Sequence, residues 1–179
     1  MAVKRQSIGE RNAAAVAHVS DEPAAAPAPA RMGAKAATAG SKTRVGTYWQ
    51  HGTFQEAKSA YMVDLDLSPD APNVFANWIG RTIEKHARQS PERRAKIVGA
   101  LDAEPKEGAG VSRSFELYDA IIAQMDSAIV EDRRTLSIME NRTGFVSAAV
   151  RAAIDDVKKR SGLHTLPPAP ARLPKNPPR

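Results

Sequence analysis

The sequence predicts a mainly α-helical fold made of two copies of one small module, each a strand followed by two helices. The first observation behind this prediction is a weak internal repeat at an offset of 70 residues, and repeats determine the architecture of a chain. The second is a short alternating segment ahead of each helical pattern, at 44–49 and 114–117. Each copy has a capping residue, an aromatic two positions later and an arginine six positions after that: Asn73, Phe75 and Arg81, then Thr143, Phe145 and Arg151.

The first predicted strand, at 42–49, has side chains that suit two different surroundings. Side chains alternate across a strand, so Val45, Thr47 and Trp49 share one side. These are strand-forming residues that suit a buried face. The opposite side, which we expect to face solvent, consists of Arg44, Gly46 and Tyr48.

Three helices are predicted after this strand. The first begins at Gly52 or Thr53 and ends at the turn-forming segment 68–72. Asn73 is the expected N-cap of the second helix, because its side chain can accept a hydrogen bond from a free backbone amide. Pro91 fits the first position of a third helix, which runs to about Leu101.

The second copy begins at Val111 and repeats the order of elements. Its strand would present Ser112, Ser114 and Glu116 to solvent, and a long helix follows. Thr143 is the expected cap of the last helix. That helix should end at Gly162, because glycine commonly follows the last helical turn.

Proline, alanine and basic charge are concentrated outside the two modules. The formal charge of +6 lies entirely in the ends, since Lys/Arg and Asp/Glu balance from 43 to 162. Such ends bury too little apolar surface to offset the entropy of ordering, and we expect them to be disordered. The predicted organisation is a basic Ala/Pro-rich arm (1–41), a first module with an extra C-terminal helix (42–101), a linker (102–110), a divergent second module (111–162) and a Pro-rich basic tail (163–179).

Several classes of protein are not expected from this composition. The chain has no cysteine, so disulfides and thiolate metal sites are excluded, and a cytoplasmic location is expected. No run approaches the roughly 18 apolar residues of a membrane span, and the alanines after Arg5 are too interrupted for a signal peptide. The four histidines lack metal-ligand spacing, and His86 is predicted to lie on the surface. We expect no enzyme activity, cofactor or metal.

Short motifs between residues 42 and 97 carry a family resemblance. They are Arg44-Val-Gly-Thr-Tyr48, Ser59-Ala-Tyr61, Asp64-Leu-Asp66, Phe75-Ala-Asn-Trp-Ile79, Glu84-Lys-His86 and Ser90-Pro-Glu-Arg-Arg-Ala95. This third of the chain resembles the ribbon-helix-helix family. More narrowly, it resembles the ParB-type centromere-binding proteins of actinobacterial plasmid partition systems. The second copy carries no such motifs, and its assignment depends on the internal repeat.

The resemblance implies that a two-stranded ribbon enters the major groove of double-stranded DNA. Arg44, Gly46 and Tyr48 would then read base edges. The N-terminus of the second helix would bind a phosphate, at Asn73 and Val74 in the first copy. The plain alternatives are a solvated strand face and an ordinary helix cap. The corresponding positions of the second copy are Ser112, Ser114, Glu116, Thr143 and Gly144.

The second copy departs from this pattern, because Glu116 would face phosphates and Arg113 lies on the inner side of the strand. Either this copy reads DNA differently or it is mainly a pairing partner. Two pairing modes are open. The two copies can pair within one chain as a pseudodimer, or each copy can pair with its twin in a homodimer. The second is slightly favoured, because related modules usually assemble in that way.

The resemblance further implies a plasmid-associated bacterial protein that recruits a ParA-type Walker ATPase and represses its own operon. Lys4, Arg5 and Arg11 are the candidate residues for an ATPase-binding arm. One alternative is a ribbon-helix-helix transcriptional repressor or antitoxin without a partition role. Another is a module that binds a protein partner and never contacts DNA.

Overall fold

The computed structural model describes residues 40–102 and 110–174. Within these ranges the protein is mainly helical, with five helices and one small antiparallel sheet of two strands. The elements in chain order are β1 (Lys42–Trp49), α1 (His51–Leu67), α2 (Phe75–Ala87), α3 (Pro91–Asp102), β2 (Val111–Tyr118), α4 (Asp119–Leu136) and α5 (Arg142–Ser161). The order of strand, helix and helix therefore occurs twice, as the repeat predicts.

The two strands pair with each other in one chain, which is the intramolecular arrangement and not the homodimeric one that was slightly favoured from the sequence. Val45 lies opposite Phe115, and Gly46 lies opposite Ser114. Val45 and Phe115 are also equivalent positions of the 70-residue repeat, so equivalent residues meet at the middle of the ribbon. This register gives the two modules an approximate twofold relationship about that pair.

The helices interlock across the two modules. In each module the second helix packs against the other module's strand, α2 against β2 and α5 against β1. Helix α1 also packs mainly on α5, and α2 packs on α4. Each module therefore covers the apolar face of the other, and the two share one hydrophobic core.

An aromatic cluster fills the space beneath the ribbon. Trp49 and Phe115 project from the two strands, with ring centroids 5.9 Å apart in an edge-to-face contact. Phe75 lies 5.9 Å from Phe115 and stacks on Trp78 at 5.8 Å. Such contacts stabilise beyond the area that they bury. The cluster fixes the inner face of the ribbon on α2 and leaves its outer face to solvent.

Neither of the two predicted N-cap residues, Asn73 and Thr143, is the N-cap in the structure. The N-cap of α2 is Val74, whose carbonyl accepts from the amides of Asn77 and Trp78 at 3.0 Å, rather than Asn73. The N-cap of α5 is Asn141, and its Oδ1 accepts from the Gly144 amide at 2.9 Å. Thr143 therefore lies within the first turn of α5, because the side chain of Asn141, two residues earlier, is the one that accepts the capping hydrogen bond.

His86 is buried, and the prediction of a surface position was wrong. It is 1% exposed, and its ring meets Phe145 edge to face at 4.8 Å. Beside it lies a buried ion pair between Arg94 of α3 and Asp132 of α4. The surface prediction came from the helical pattern of α2 alone, which does not show that α3, α4 and α5 surround this face.

The segment 163–174 packs on the folded body, in contrast to the free tail that its composition predicts. Ser59 Oγ donates to the carbonyl of Pro167 at 2.7 Å, and Lys58 Nζ donates to that of Ala171 at 3.4 Å. Leu166 and Leu173 pack against the core. Prolines lack an amide hydrogen, but their carbonyls still accept, so the segment is joined to α1 by hydrogen bonds to two of its carbonyls and to the core by two leucines.

Candidate nucleic-acid interface

The outer face of the ribbon, made of β1 and β2, consists of every second side chain of each strand. Arg44, Gly46 and Tyr48 are exposed while Val45, Thr47 and Trp49 are buried, as the alternation predicts. In the second strand, Ser112, Ser114 and Glu116 are exposed on the same face. Register places Gly46 opposite Ser114, with Arg44 opposite Glu116 and Tyr48 opposite Ser112. The structure thus brings six predicted residues onto one continuous surface.

Arg44 is held by a hydrogen bond across the ribbon. Its Nε donates to Ser114 Oγ at 2.8 Å. The bond uses one edge of the guanidinium and orients the terminal Nη groups, which can form a two-pronged contact with an acceptor pair. Ser114 is therefore a positioning residue for Arg44 as well as a polar group of the second strand.

Tyr48 stands out from the ribbon and is fixed at its hydroxyl end. Its side chain is 59% exposed, and its hydroxyl oxygen accepts from the Gly110 amide at 3.0 Å. A Cβ at Gly110 would lie 2.1 Å from the tyrosine Cζ, so only glycine permits this approach. The hydroxyl proton stays available to donate. The sequence showed Gly110 as part of a linker and gave no sign of this role.

Gly46 lies at the centre of the outer face without a packing reason for being glycine. A Cβ built there meets no heavy atom within 4 Å, and the residue has no positive φ. The fold would therefore accept a side chain at this position. What glycine provides is an unobstructed approach to the backbone at the middle of the ribbon.

Two further residues belong to this face and were missed by the sequence analysis. Lys42 and Tyr118 lie opposite each other at one end of the ribbon. The Lys42 ammonium lies 4.5 Å from the centre of the Tyr118 ring, a cation–π distance. The repeat offset was the available signal, because the residue 70 positions after Tyr48 is Tyr118. All eight outward residues of the two strands are exposed.

The two candidate phosphate sites differ in how the helix begins. Val74 is 43% exposed and makes no side-chain capping bond at the start of α2. At the start of α5, the Gly144 amide already donates to Asn141. Glu140 packs against the same turn, since a Cβ on Gly144 would lie 3.0 Å from its Cγ. A helix N-terminus favours an anion, and in the first turn of α5 the Gly144 amide is already used by the helix's own cap.

Arg113 does not join the outer face. It extends from the inner side of β2, its guanidinium carbon lies 5.0 Å from the centre of the Phe54 ring, and it donates to the Ser112 carbonyl. Lys4, Arg5 and Arg11 lie outside the described residues. Among the described residues there is no cluster of potential metal ligands and no helix long and apolar enough to cross a membrane.

Comparison of the chain with protein-family models, with curated proteins and with solved structures finds no match.

Proposed function

We propose that this chain is an intramolecular ribbon-helix-helix dimer that binds double-stranded DNA by inserting its ribbon into the major groove. The observation that carries the proposal is the outer face of the ribbon, where exposed hydrogen-bonding side chains surround an unobstructed glycine. A two-stranded ribbon is one of the elements that the major groove admits. The interlocked helices support the same proposal, because they give one chain the strand-helix-helix pair that such dimers contain.

The first module supplies the main contacts in this proposal. Arg44 donates through its Nη groups to guanine, a contact that contributes about 1–3 kcal/mol of base discrimination. Tyr48 donates its hydroxyl proton, and Gly46 lets the backbone approach the base edges. The N-terminus of α2, at Asn73 and Val74, binds a phosphate and fixes the register of the ribbon on the duplex.

The second module acts mainly as the pairing partner. Ser114 orients Arg44, Ser112 adds a hydroxyl to the surface, and Glu116 accepts from the amino group of a cytosine. Thr143 and Gly144 contribute less to phosphate binding, because the first turn of α5 is occupied by its own cap. The preferred DNA site is then an asymmetric sequence in which one half is read more closely.

Fluorescence anisotropy with DNA from upstream of the gene, and with scrambled DNA of equal length, tests the binding proposal over a salt series. The wild type should prefer its own DNA at physiological salt. Arg44→Ala should lose about 1–3 kcal/mol of that preference, while Arg133→Ala, which removes an exposed arginine from the far end of α4, should retain it. Equal and steeply salt-sensitive binding to both DNAs would reflect only the charged ends of the chain and would refute the proposal.

Gly46→Val gives an independent test of how the ribbon meets DNA. The fold has room for this side chain, and valine favours a strand. The variant should therefore unfold at the wild-type temperature or higher but lose most of its affinity for DNA. Normal DNA binding by a folded Gly46→Val protein would exclude close approach of the groove to the middle of the ribbon.

The biological role we propose is plasmid partition, with recruitment of a ParA-type ATPase and repression of the protein's own operon. This part of the proposal rests on the motif resemblance of residues 42–97. Deletion of residues 1–30, which removes Lys4, Arg5 and Arg11, should abolish the stimulation of a ParA-type ATPase by this protein and leave most DNA affinity. Unchanged stimulation would show that the arm is not the ATPase contact.

A further inference from the structure

A cavity of about 310 Å³ opens between α2, α3 and α5, and none of its lining residues belongs to the ribbon. Its volume is at the lower end of the range of small-molecule sites. Ile97 and three alanines of α5 form an apolar wall: Ala149, Ala152 and Ala153. The small alanine side chains leave room in a place where α2 and α5 otherwise pack closely.

Two buried polar groups line this cavity without partners. Neither ring nitrogen of His86 has a hydrogen-bond partner, and neither does Oε1 of Gln89. Buried polar groups are nearly always hydrogen-bonded, and an exception requires an explanation. Burial lowers the pKa of His86 to about 4, with Arg94 acting in the same direction and Asp132 opposing it. The ring is neutral at pH 7 and offers one donor and one acceptor.

The mouth of the cavity is cationic. Lys85, Arg93, Lys96 and Lys159 surround it together with two carboxylates, Asp155 and Asp156. Lys85 and Arg160 pair with Asp156 at 3.2 and 3.0 Å. Arg93, Lys96 and Lys159 form no ion pair with other residues that the structure describes. Four cations against two carboxylates leave two positive charges, which match a dianion.

We propose that this cavity is a binding site for a small organic phosphate ester that carries hydroxyl groups. The phosphate binds to Arg93, Lys96 and Lys159 at the mouth, where it is close to dianionic at neutral pH. The hydroxyl groups bind to His86 and Gln89, whose unpartnered atoms include both a donor and acceptors. The alanine wall of α5 covers the carbon skeleton. The proposal is separate from DNA binding and does not depend on it.

Isothermal titration of the full chain with glycerol 3-phosphate, glycerol and inorganic phosphate tests the site. Glycerol 3-phosphate should bind with a stoichiometry of one, more tightly than inorganic phosphate, and glycerol should not bind. Lys96→Gln and Lys159→Gln should each weaken binding by roughly tenfold or more, as expected for a charged hydrogen bond. Lys42→Gln, which removes the same charge from the ribbon, should leave binding unchanged. The variants change exposed side chains and leave the core intact.

A second readout follows the buried ring directly. Binding of glycerol 3-phosphate should shift the imidazole ¹⁵N signals of His86 and leave those of the exposed His164 unchanged. The proposal is overturned by the absence of saturable binding at millimolar concentration, or by equal affinities of the Lys42→Gln and Lys96→Gln variants. It is also overturned if Lys96→Gln and Lys159→Gln weaken DNA binding only, because the cations would then belong to a DNA interface.

Discussion

Arg94 brings a positive charge into the interior between α3 and α4, where it is 1% exposed. Its Nε and Nη2 donate to the two carboxylate oxygens of Asp132 at 2.7–3.0 Å, and Nη2 also donates to Glu131. Nη1 donates to the carbonyls of Ala87 and Gln89. The guanidinium thereby joins α3 to α4 and to the end of α2. The sequence shows Arg94 as one arginine in a polar helix, because its partner lies 38 positions away.

Arg94→Met should lower the free energy of unfolding by about 3–5 kcal/mol, since it leaves the Asp132 carboxylate buried without a partner. The double variant Arg94→Met/Asp132→Leu should recover most of this loss, because both charges are gone. Urea denaturation of the two variants and the wild type measures the difference. A double variant no more stable than the single one would show that the hydrogen bonds to Ala87 and Gln89, rather than the ion pair, hold α3 in place.

His86 should make the protein less stable in mild acid. Its pKa is about 4 in the fold and 6.5 in the unfolded chain, so the unfolded chain binds more protons between these values. The contribution of the neutral ring is complete above pH 6.5 and is lost as the pH falls towards 4, at up to about 1.4 kcal/mol per pH unit.

Denaturation of the wild type between pH 7.5 and 4.5 measures this slope, with Arg94 and Asp132 as the charged groups that act on the ring. His86→Gln should reduce the slope, because glutamine does not titrate. His164→Gln, which changes an exposed histidine, should keep it. Equal slopes in all three proteins would mean that His86 is as accessible to protons in the fold as in the unfolded chain.

At the scale of elements, local patterns predicted most of the secondary structure. Both strands, their buried parity and all five helices followed from alternation, apolar spacing and turn residues. Contacts that join distant parts of the chain were not predictable. Examples are the cap at Asn141, the approach of Gly110 to Tyr48 and the attachment of 163–174 to α1. Each depends on a partner that only the fold brings near.

The candidate site was predictable only in part, because some of its contacts also join residues that are far apart in the sequence. Parity alone placed Arg44, Gly46 and Tyr48 on the outer face, whereas the bond from Arg44 to Ser114 required the register of the two strands. The repeated arginines show how equivalent positions diverge. Arg81 donates to the Asp70 carbonyl in the loop before its own helix, while Arg151 donates to Glu56 of the other module.

A disulfide across the ribbon tests the pairing of β1 with β2. The chain has no cysteine, so the variant Gly46→Cys/Ser114→Cys contains a single pair, at positions that face each other. Opposed residues of antiparallel strands have Cα atoms about 4.5–5.5 Å apart, which suits a disulfide. Mild oxidation should give a crosslinked monomer on non-reducing gels.

Gly46→Cys alone provides the control for this experiment. If β1 paired with the β1 of a second chain, position 46 would lie near the centre of that ribbon. The single variant would then form a crosslinked dimer, and the double variant would give dimers as well. A monomeric single variant together with a crosslinked monomeric double variant agrees with pairing inside one chain.

At the scale of the whole molecule, the shared core makes the two modules one folding unit. The second helix of each module covers the strand of the other, so neither module can unfold without exposing the apolar face of its partner. Heating should therefore give a single transition. Its midpoint should stay constant over about a hundredfold range of protein concentration, because no association step accompanies folding.

Circular dichroism and calorimetry at low and high protein concentration check this expectation, with sedimentation to report the mass in solution. A midpoint that rises with concentration would mean that a second chain contributes to the fold. Two separate transitions would mean that the modules fold independently and that the interlocking of α2 and α5 contributes little to stability.

The joining of β1 and β2 in one chain also affects how the surface can change by mutation. In a symmetric homodimer every substitution occurs twice, so a change that helps one half of the interface is imposed on the other half. In this chain a mutation at Tyr48 or at Ser112 changes one strand only. Arg44 can therefore be retained in the first copy while the equivalent position of the second copy is Ser114, which orients the guanidinium of Arg44. The single chain is thus free to acquire a ligand surface that no symmetric pair could present.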